Sequence, residues 1–174
     1  MTEIIDAIDS WAGPYLDTIT SPSNNTLFGH CELMKKTAKD SVQVMPVTID
    51  GRVQVSLDDK KNIITWIRIT DPVAVSLLEG DTWGIVEQRN QSLQLRVVVA
   101  HKTSLGDLIY DFANNFPDYL TITGFEKVFP TVNEVLTDHE AIYTEELGDT
   151  VYEKHRFTWN IYALNVSVDF IKCE

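Results

Sequence analysis

The sequence predicts an α+β domain, mainly antiparallel sheet, with an N-terminal helix and one mid-chain helix packed on it. Three observations carry that prediction. Apolar residues recur at three- and four-residue steps near the start and again after residue 104. They alternate with a period of two through much of 42–57 and 157–170. The pair Asp50-Gly51 stands between two such alternating stretches, where a hairpin would turn.

The first helix is read from Ile4, Ile8, Trp11, Tyr15 and Ile19, which fall on one helical face. Asp6 and Asp9 lie toward its N-terminal end, where negative charge suits the helix dipole. Gly13-Pro14 should kink or break it, because proline lacks a donor and clashes with the preceding turn. Ser21 to Asn25 then reads as a loop.

Strands follow. Val42, Val44, Val47 and Ile49 form one alternating run, and Val53, Val55 and Leu57 form a second across Asp50-Gly51. A type I′ turn there needs positive φ at both central residues. Pro46 cannot donate a ladder bond and marks an edge or a bulge. Residues 62–69 are rich in β-branched side chains and read as a strand. Thr82 to Glu87 and Leu93 to His101 suggest another hairpin, turning across 88–92.

Ser104 is placed to cap the second helix, with Asp107 three residues on. Leu105, Leu108, Ile109, Phe112 and Phe116 form its stripe, and Pro117 stops it. Residues 119–123 and 125–136 look extended. Residues 138–147 fit either a short helix or one arm of a hairpin turning at Gly148-Asp149, and the hairpin is the expectation adopted. In the last strand Phe157, Trp159, Ile161 and Ala163 alternate, and then Leu164, Val166, Val168 and Phe170 take over. Either a bulge sits near Ala163-Leu164, or each half buries a different face.

The 174 residues fit a single domain over 1–174, with a protruding acidic arm at 134–156. Net charge is −12, and its excess is concentrated in two places. Residues 1–34 hold five acids and no Lys or Arg. Residues 134–153 hold seven: Glu134, Asp138, Glu140, Glu145, Glu146, Asp149 and Glu153, again with no Lys or Arg. Such a surface disfavours tight binding to nucleic acid or to an anionic membrane. No apolar run approaches the ~20 residues of a membrane span. The start is acidic where a signal peptide is basic, so folding in a cytoplasm is expected. Cys31 and Cys173 form neither a disulfide framework nor a zinc motif.

Motifs for catalysis are missing. The sequence contains no dinucleotide fingerprint, no phosphate-binding loop, no His-Glu-x-x-His and no nucleophile elbow. His139 and His155 flank the acidic segment and could meet a metal with Glu140 or Glu153, but a solvated loop is the plainer expectation. Glu145-Glu146 could serve a hydrolase only from a buried site that perturbs a carboxyl. Trp11, Trp66, Trp83 and Trp159 read as core more readily than as a carbohydrate platform. No catalytic residue, metal or cofactor is assigned.

The final third carries a family resemblance. An acidic stretch from Asn133 to Glu153 leads into the strand Tyr152-Glu153-Lys154-His155-Arg156-Phe157-Thr158-Trp159-Asn160-Ile161-Tyr162-Ala163-Leu164-Asn165-Val166. With the N-terminal helix and the helix over 104–116, this layout resembles the tail-completion, tail-terminator and neck-ring proteins of tailed bacteriophages. Among these it is similar to the ring proteins of crAss-like phages. The resemblance implies a virion protein, made in the host cytoplasm, that forms a homomeric ring. Such a ring would contact neighbouring neck or tail proteins and let DNA pass without specific binding. The seven acids of 134–153 are then candidates for an interface or for the lumen. An adhesin-like carbohydrate- or protein-binding module, and a carboxylate-dependent hydrolase, remain alternatives.

Overall fold

In the computed structural model, which describes residues 1–38, 41–77 and 89–173, a six-stranded, mostly antiparallel sheet carries helices on both faces. Strands β1 (Asn25–Ala38), β2 (Ser41–Thr48), β3 (Ile63–Leu77), β4 (Arg89–Lys102), β5 (Phe125–Leu136) and β6 (Trp159–Lys172) lie in the order β2-β1-β3-β4-β6-β5. Among the described residues only the β1–β3 pair is parallel. The α+β expectation holds, with more helix than the sequence suggested.

Helix α1 (Thr2–Asp17) buries Ile4, Ile5, Ile8, Ala12 and Leu16 against the sheet. It runs through Gly13-Pro14 without the expected break. Proline forfeits one backbone bond, but the last turn is held by tertiary contact. Leu16 is fully buried, and Tyr15 meets the ring of Phe112 edge-on with centroids 5.7 Å apart. Helix α2 (Leu108–Asn114) joins α1 on this face, burying Leu108, Ile109 and Phe112. It starts later than expected. Thr103–Leu105 form only a short 3-10 turn, and Gly106 at φ +71 separates that turn from the helix. Residues 119–123 are irregular, although the Leu120 N–H donates to the Val128 carbonyl at 3.0 Å.

The other face is covered by α3 (His139–Glu146), α4 (Asp149–His155) and the segment carrying Val55 and Leu57. The acidic stretch therefore folds as two short helices instead of a hairpin arm. Asp138 caps α3 by accepting from the Ala141 N–H at 3.1 Å. Gly148 at φ +84 turns the chain into α4. Ile142, Tyr143 and Leu147 bury their side chains with Trp66, Trp159 and Ile161. Local capping and burial together outweigh the extended alternative.

The phase flip in β6 follows from this two-sided covering. Trp159, Ile161 and Ala163 pack under α3, whereas Leu164, Val166, Val168 and Phe170 pack toward α1 and α2. Pairing with β4 is continuous from Trp159 to Phe170, so each half buries a different face and no bulge is needed there. Pro46 lies in β2, the edge strand, as its missing donor requires.

Two turns differ from expectation. At Asp50-Gly51 the residue with positive φ is Arg52, at +49, and Gly51 is not left-handed. Thr48 closes the turn: its N–H donates to the Val53 carbonyl at 2.9 Å, and its hydroxyl accepts from the Val53 N–H at 3.0 Å. Beyond the turn only the bridge Val47–Gln54 forms in place of a full strand. Residues 89–92, expected as a turn, belong to β4, which pairs with β3 and β6. The expected strand Thr82 to Glu87 lies outside the described residues.

Candidate functional site

A transverse row of polar residues crosses the sheet beneath α3. Arg68 on β3 faces Arg96 on β4, Arg96 faces Asn165 on β6, and Asn165 faces Glu134 on β5. Strand periodicity aims this row at the α3 side, because Arg68 shares phase with Ile64 and Trp66, and Arg96 shares phase with Val98 and Ala100. Two guanidiniums directly opposite each other repel. Helix α3 ends above them and delivers Glu145 and Glu146.

Glu146 is fully buried. It accepts from Trp66 Nε1 at 3.1 Å and from Arg68 Nε at 2.9 and 3.0 Å. Glu145, half-exposed, accepts from Arg68 at 3.2 Å and also from Arg96. Arg96 Nε donates to Asn165 at 3.2 Å, and the Asn165 amide donates to Glu134 at 3.0 Å. The network thus places two carboxylates over two cations and leaves no bare buried charge within it.

The seven acidic candidates consequently separate. Glu146 is not available to a lumen or to a partner, because it is buried and paired. Glu134 and Glu145 are tied to the sheet. Asp138 caps α3, Asp149 accepts from the Thr144 hydroxyl at 2.9 Å, and Glu153 lies 3.8 Å from Arg156. Glu140 is exposed and has no polar partner among the described residues. Sequence inspection missed Arg68, Arg96 and Asn165. The available signal was phase: an arginine in register with Ile64 and Trp66 sits on a buried face and demands a carboxylate there.

A second feature lies beside this network. The β1–β3 pairing ends at His30–Ile67, after a register shift at Leu27/His30. Gly29, at φ +68, occupies the irregularity. A Cβ there would come within 3.1 Å of Asp9 Oδ2 on α1. Beyond it β1 continues to Ala38 paired with β2, and β3 continues to Leu77 paired with β4. Their facing edges are unpaired among the described residues. The gap between them is a cleft of about 520 Å³ lined by His30 to Leu33 and Arg68 to Asp71.

Titration around the cleft follows burial. Burial, and then the neighbouring Asp6, raise the Asp9 carboxyl to about 7. Burial, with Asp9 and Glu146 adding to it, pushes the Cys31 thiol up to about 12, which makes it a poor nucleophile. Burial lowers the pKa of His30. Cys173 is an exposed free thiol.

His139 Nδ1 lies 2.6 Å from the Ile161 carbonyl oxygen, and its ring meets Tyr162 edge-on with centroids 4.6 Å apart. Among the described residues no group of three or more His, Cys, Asp or Glu is placed to hold a metal ion. Trp66 and Trp159 are buried and Trp11 packs on the core, so none of the three offers an open ring face to a sugar. Trp83 lies outside the described residues. No helix among the described residues is long and apolar enough to cross a membrane. No protein-family model matches the chain, and no curated protein matches its sequence.

Proposed function

We propose that this chain is a structural subunit that assembles with copies of itself into a ring in the neck or tail of a tailed phage. The ring would link the capsid side to the tail and leave a passage for DNA. The subunit would be made in the bacterial host cytoplasm and would end up in the virion. No catalytic step is assigned to it. The observation that carries the proposal is the divergence of β1 from β3 after His30. It leaves two strand edges whose backbone groups have no sheet partner among the described residues. Such edges are templates for strand addition by another chain.

Charge supports the same function. At a formal charge of −12, a ring of copies presents a strongly negative surface. Passing duplex is repelled by it and does not adhere. Of the seven acids of 134–153 only Glu146 is buried, and Glu140, Asp149 and Glu153 are exposed without being tied to the sheet or to the α3 cap.

Light scattering of the purified chain, followed by negative-stain microscopy, tests the proposal. The expected result is a closed oligomer of defined mass with a central opening. A monodisperse 19.7 kDa monomer at every concentration, including in the presence of neighbouring neck proteins, would overturn it.

A further inference from the structure

Phe157 stands at the turn between α4 and β6 with 81% of its surface exposed, the largest exposure of any large apolar side chain among the described residues. A single exposed ring is ordinary on a protein surface. This one is held from its own side. The Arg156 guanidinium lies 4.7 Å from its ring centroid, and Arg156 is in turn 3.8 Å from Glu153. The ring is thus a partly fixed projection flanked by one cation and one anion.

On the other half of the sheet, the β1–β2 hairpin carries a hollow of about 110 Å³ lined by Glu32, Met34, Val47, Thr48, Ile49 and Arg52. Met34 is 46% exposed and Ile49 is 41% exposed, whereas Val47 forms a buried floor. Closed apolar cavities of about 150 Å³ accept a benzene ring. A hollow open on one side needs less volume, because the ring edge stays outside. Glu32 and Arg52 give its rim one anion and one cation, matching the pair beside Phe157. Between β1 and β6 lie β3 and β4, so the projection and the hollow are separate patches of one copy.

We infer that Phe157 of one copy seats in the Met34–Ile49 hollow of the next copy, with Arg156 facing Glu32 and Glu153 facing Arg52. The inference rests on the self-assembly proposed above and names the contact that drives it. It is heterologous: each copy uses one patch to give and a different patch to receive. Repetition of such a contact closes into a ring when the rotation allows, and otherwise runs on as a filament. A buried aromatic anchor with a charged rim is also where interface energy concentrates.

Complementary blocking tests this geometry. Phe157→Ala removes the projection and keeps the hollow, whereas Ile49→Arg fills the hollow and keeps the projection. Both positions are exposed, and circular dichroism checks that both variants fold. In sedimentation velocity the wild-type chain should form the large species. Each variant alone should remain monomeric, with self-association weakened at least about tenfold, as for an anchor residue. An equimolar mixture of the two should form a dimer and nothing larger, since one intact projection and one intact hollow remain per pair. Phe157→Trp should retain assembly. If the wild type is a monomer, self-assembly itself fails and this contact falls with it. If the wild type and both variants assemble alike, the contact is wrong while self-assembly stands. If the variants are monomeric but their mixture gives no dimer, the pairing of these two patches is wrong.

Discussion

Arg68 on β3 holds the buried carboxylate of Glu146 on α3 through its Nε at 2.9 Å, and this pair fastens the acidic segment to the sheet. Removing one partner strands a buried charge. Arg68→Ala or Glu146→Ala should each destabilise the fold by about 3–5 kcal/mol. A combined Arg68→Met/Glu146→Leu variant should lose far less than the sum, because neither charge is left bare. Urea unfolding of the three variants measures this. Additive losses would mean that the two groups do not act as a pair.

Asp9 and His101 should bend the stability curve in opposite directions. The folded-state pKa of Asp9 is raised to about 7 from an ordinary 3.8, chiefly by burial. Its contribution is fully present below the ordinary carboxylate range and is lost as pH rises through about 7. His101 is buried and its pKa is lowered, chiefly by burial, so its contribution is present above its ordinary value of 6.5 and lost as pH falls. Asp9→Asn should flatten the alkaline-going slope between about pH 4 and 7, and His101→Gln should flatten the acid-going one. Chemical denaturation at a series of pH values reads both slopes. An Asp9→Asn profile parallel to wild type would mean that Asp9 stays ionised in the fold.

Phe112 ties the two helices of the first face together. It is fully buried, with ring centroids 5.2 Å from Trp11, 5.7 Å from Tyr15 and 6.1 Å from Phe116. Phe112→Ala should cost about 3–5 kcal/mol, the sum of lost transfer and the cavity left behind. A melting temperature unchanged by this truncation would place Phe112 outside the core.

What could be read from the sequence followed from periodicity. The stripes Ile4–Ile8 and Leu108–Phe112 lie on helices that bury them, the β-branched run 63–69 lies in β3, and the alternation at 159–170 lies in β6. The acidic segment was harder, because charge density suggested a solvated arm. Its apolar residues Ile142, Tyr143 and Leu147 are few, and the arginines that neutralise Glu145 and Glu146 come from strands about 50–80 positions earlier in the sequence. Only the folded register places Arg68 opposite Arg96. Pairing between distant strands is not written in local spacing, and neither is the separation of β1 from β3 that opens the cleft.

The turn at residues 48–53 is a local case of the same limit. Arg52, not Gly51, occupies the left-handed region at φ +49. Arg52→Gly should therefore stabilise the chain by up to about 1 kcal/mol, by relieving the Cβ clash of that conformation. Gly51→Val should be only mildly harmful, since a Cβ there would meet Val53 Cγ2 at 3.4 Å with no positive φ to resist it. Thermal unfolding of both variants decides between them. A larger loss from Gly51→Val than from any other substitution in the turn would show that residue 51 carries the strain.

The acids that remain outward allow a test of assembly that leaves the fold alone. Substituting lysine for Glu145, Glu146 and Asp149 together would not serve, because a lysine at position 146 would be buried beside Arg68 and the subunit would unfold for reasons unrelated to any partner. Glu140→Lys combined with Asp149→Lys avoids this. Glu140 is exposed without a polar partner among the described residues, and Asp149 loses only its bond from Thr144 and its place in the first turn of α4. Together the two substitutions should cost about 1 kcal/mol or less of subunit stability. They change the charge of each copy by four units, and a ring multiplies that change by its copy number. Assembly or DNA passage should then weaken, and should do so more at low ionic strength than at high, where screening shortens the reach of the field. Particle yield across a salt series, with the melting temperature of the free subunit as control, makes the comparison. Normal assembly at every salt concentration would show that these acids only keep the surface soluble and take no part in joining or lining the ring.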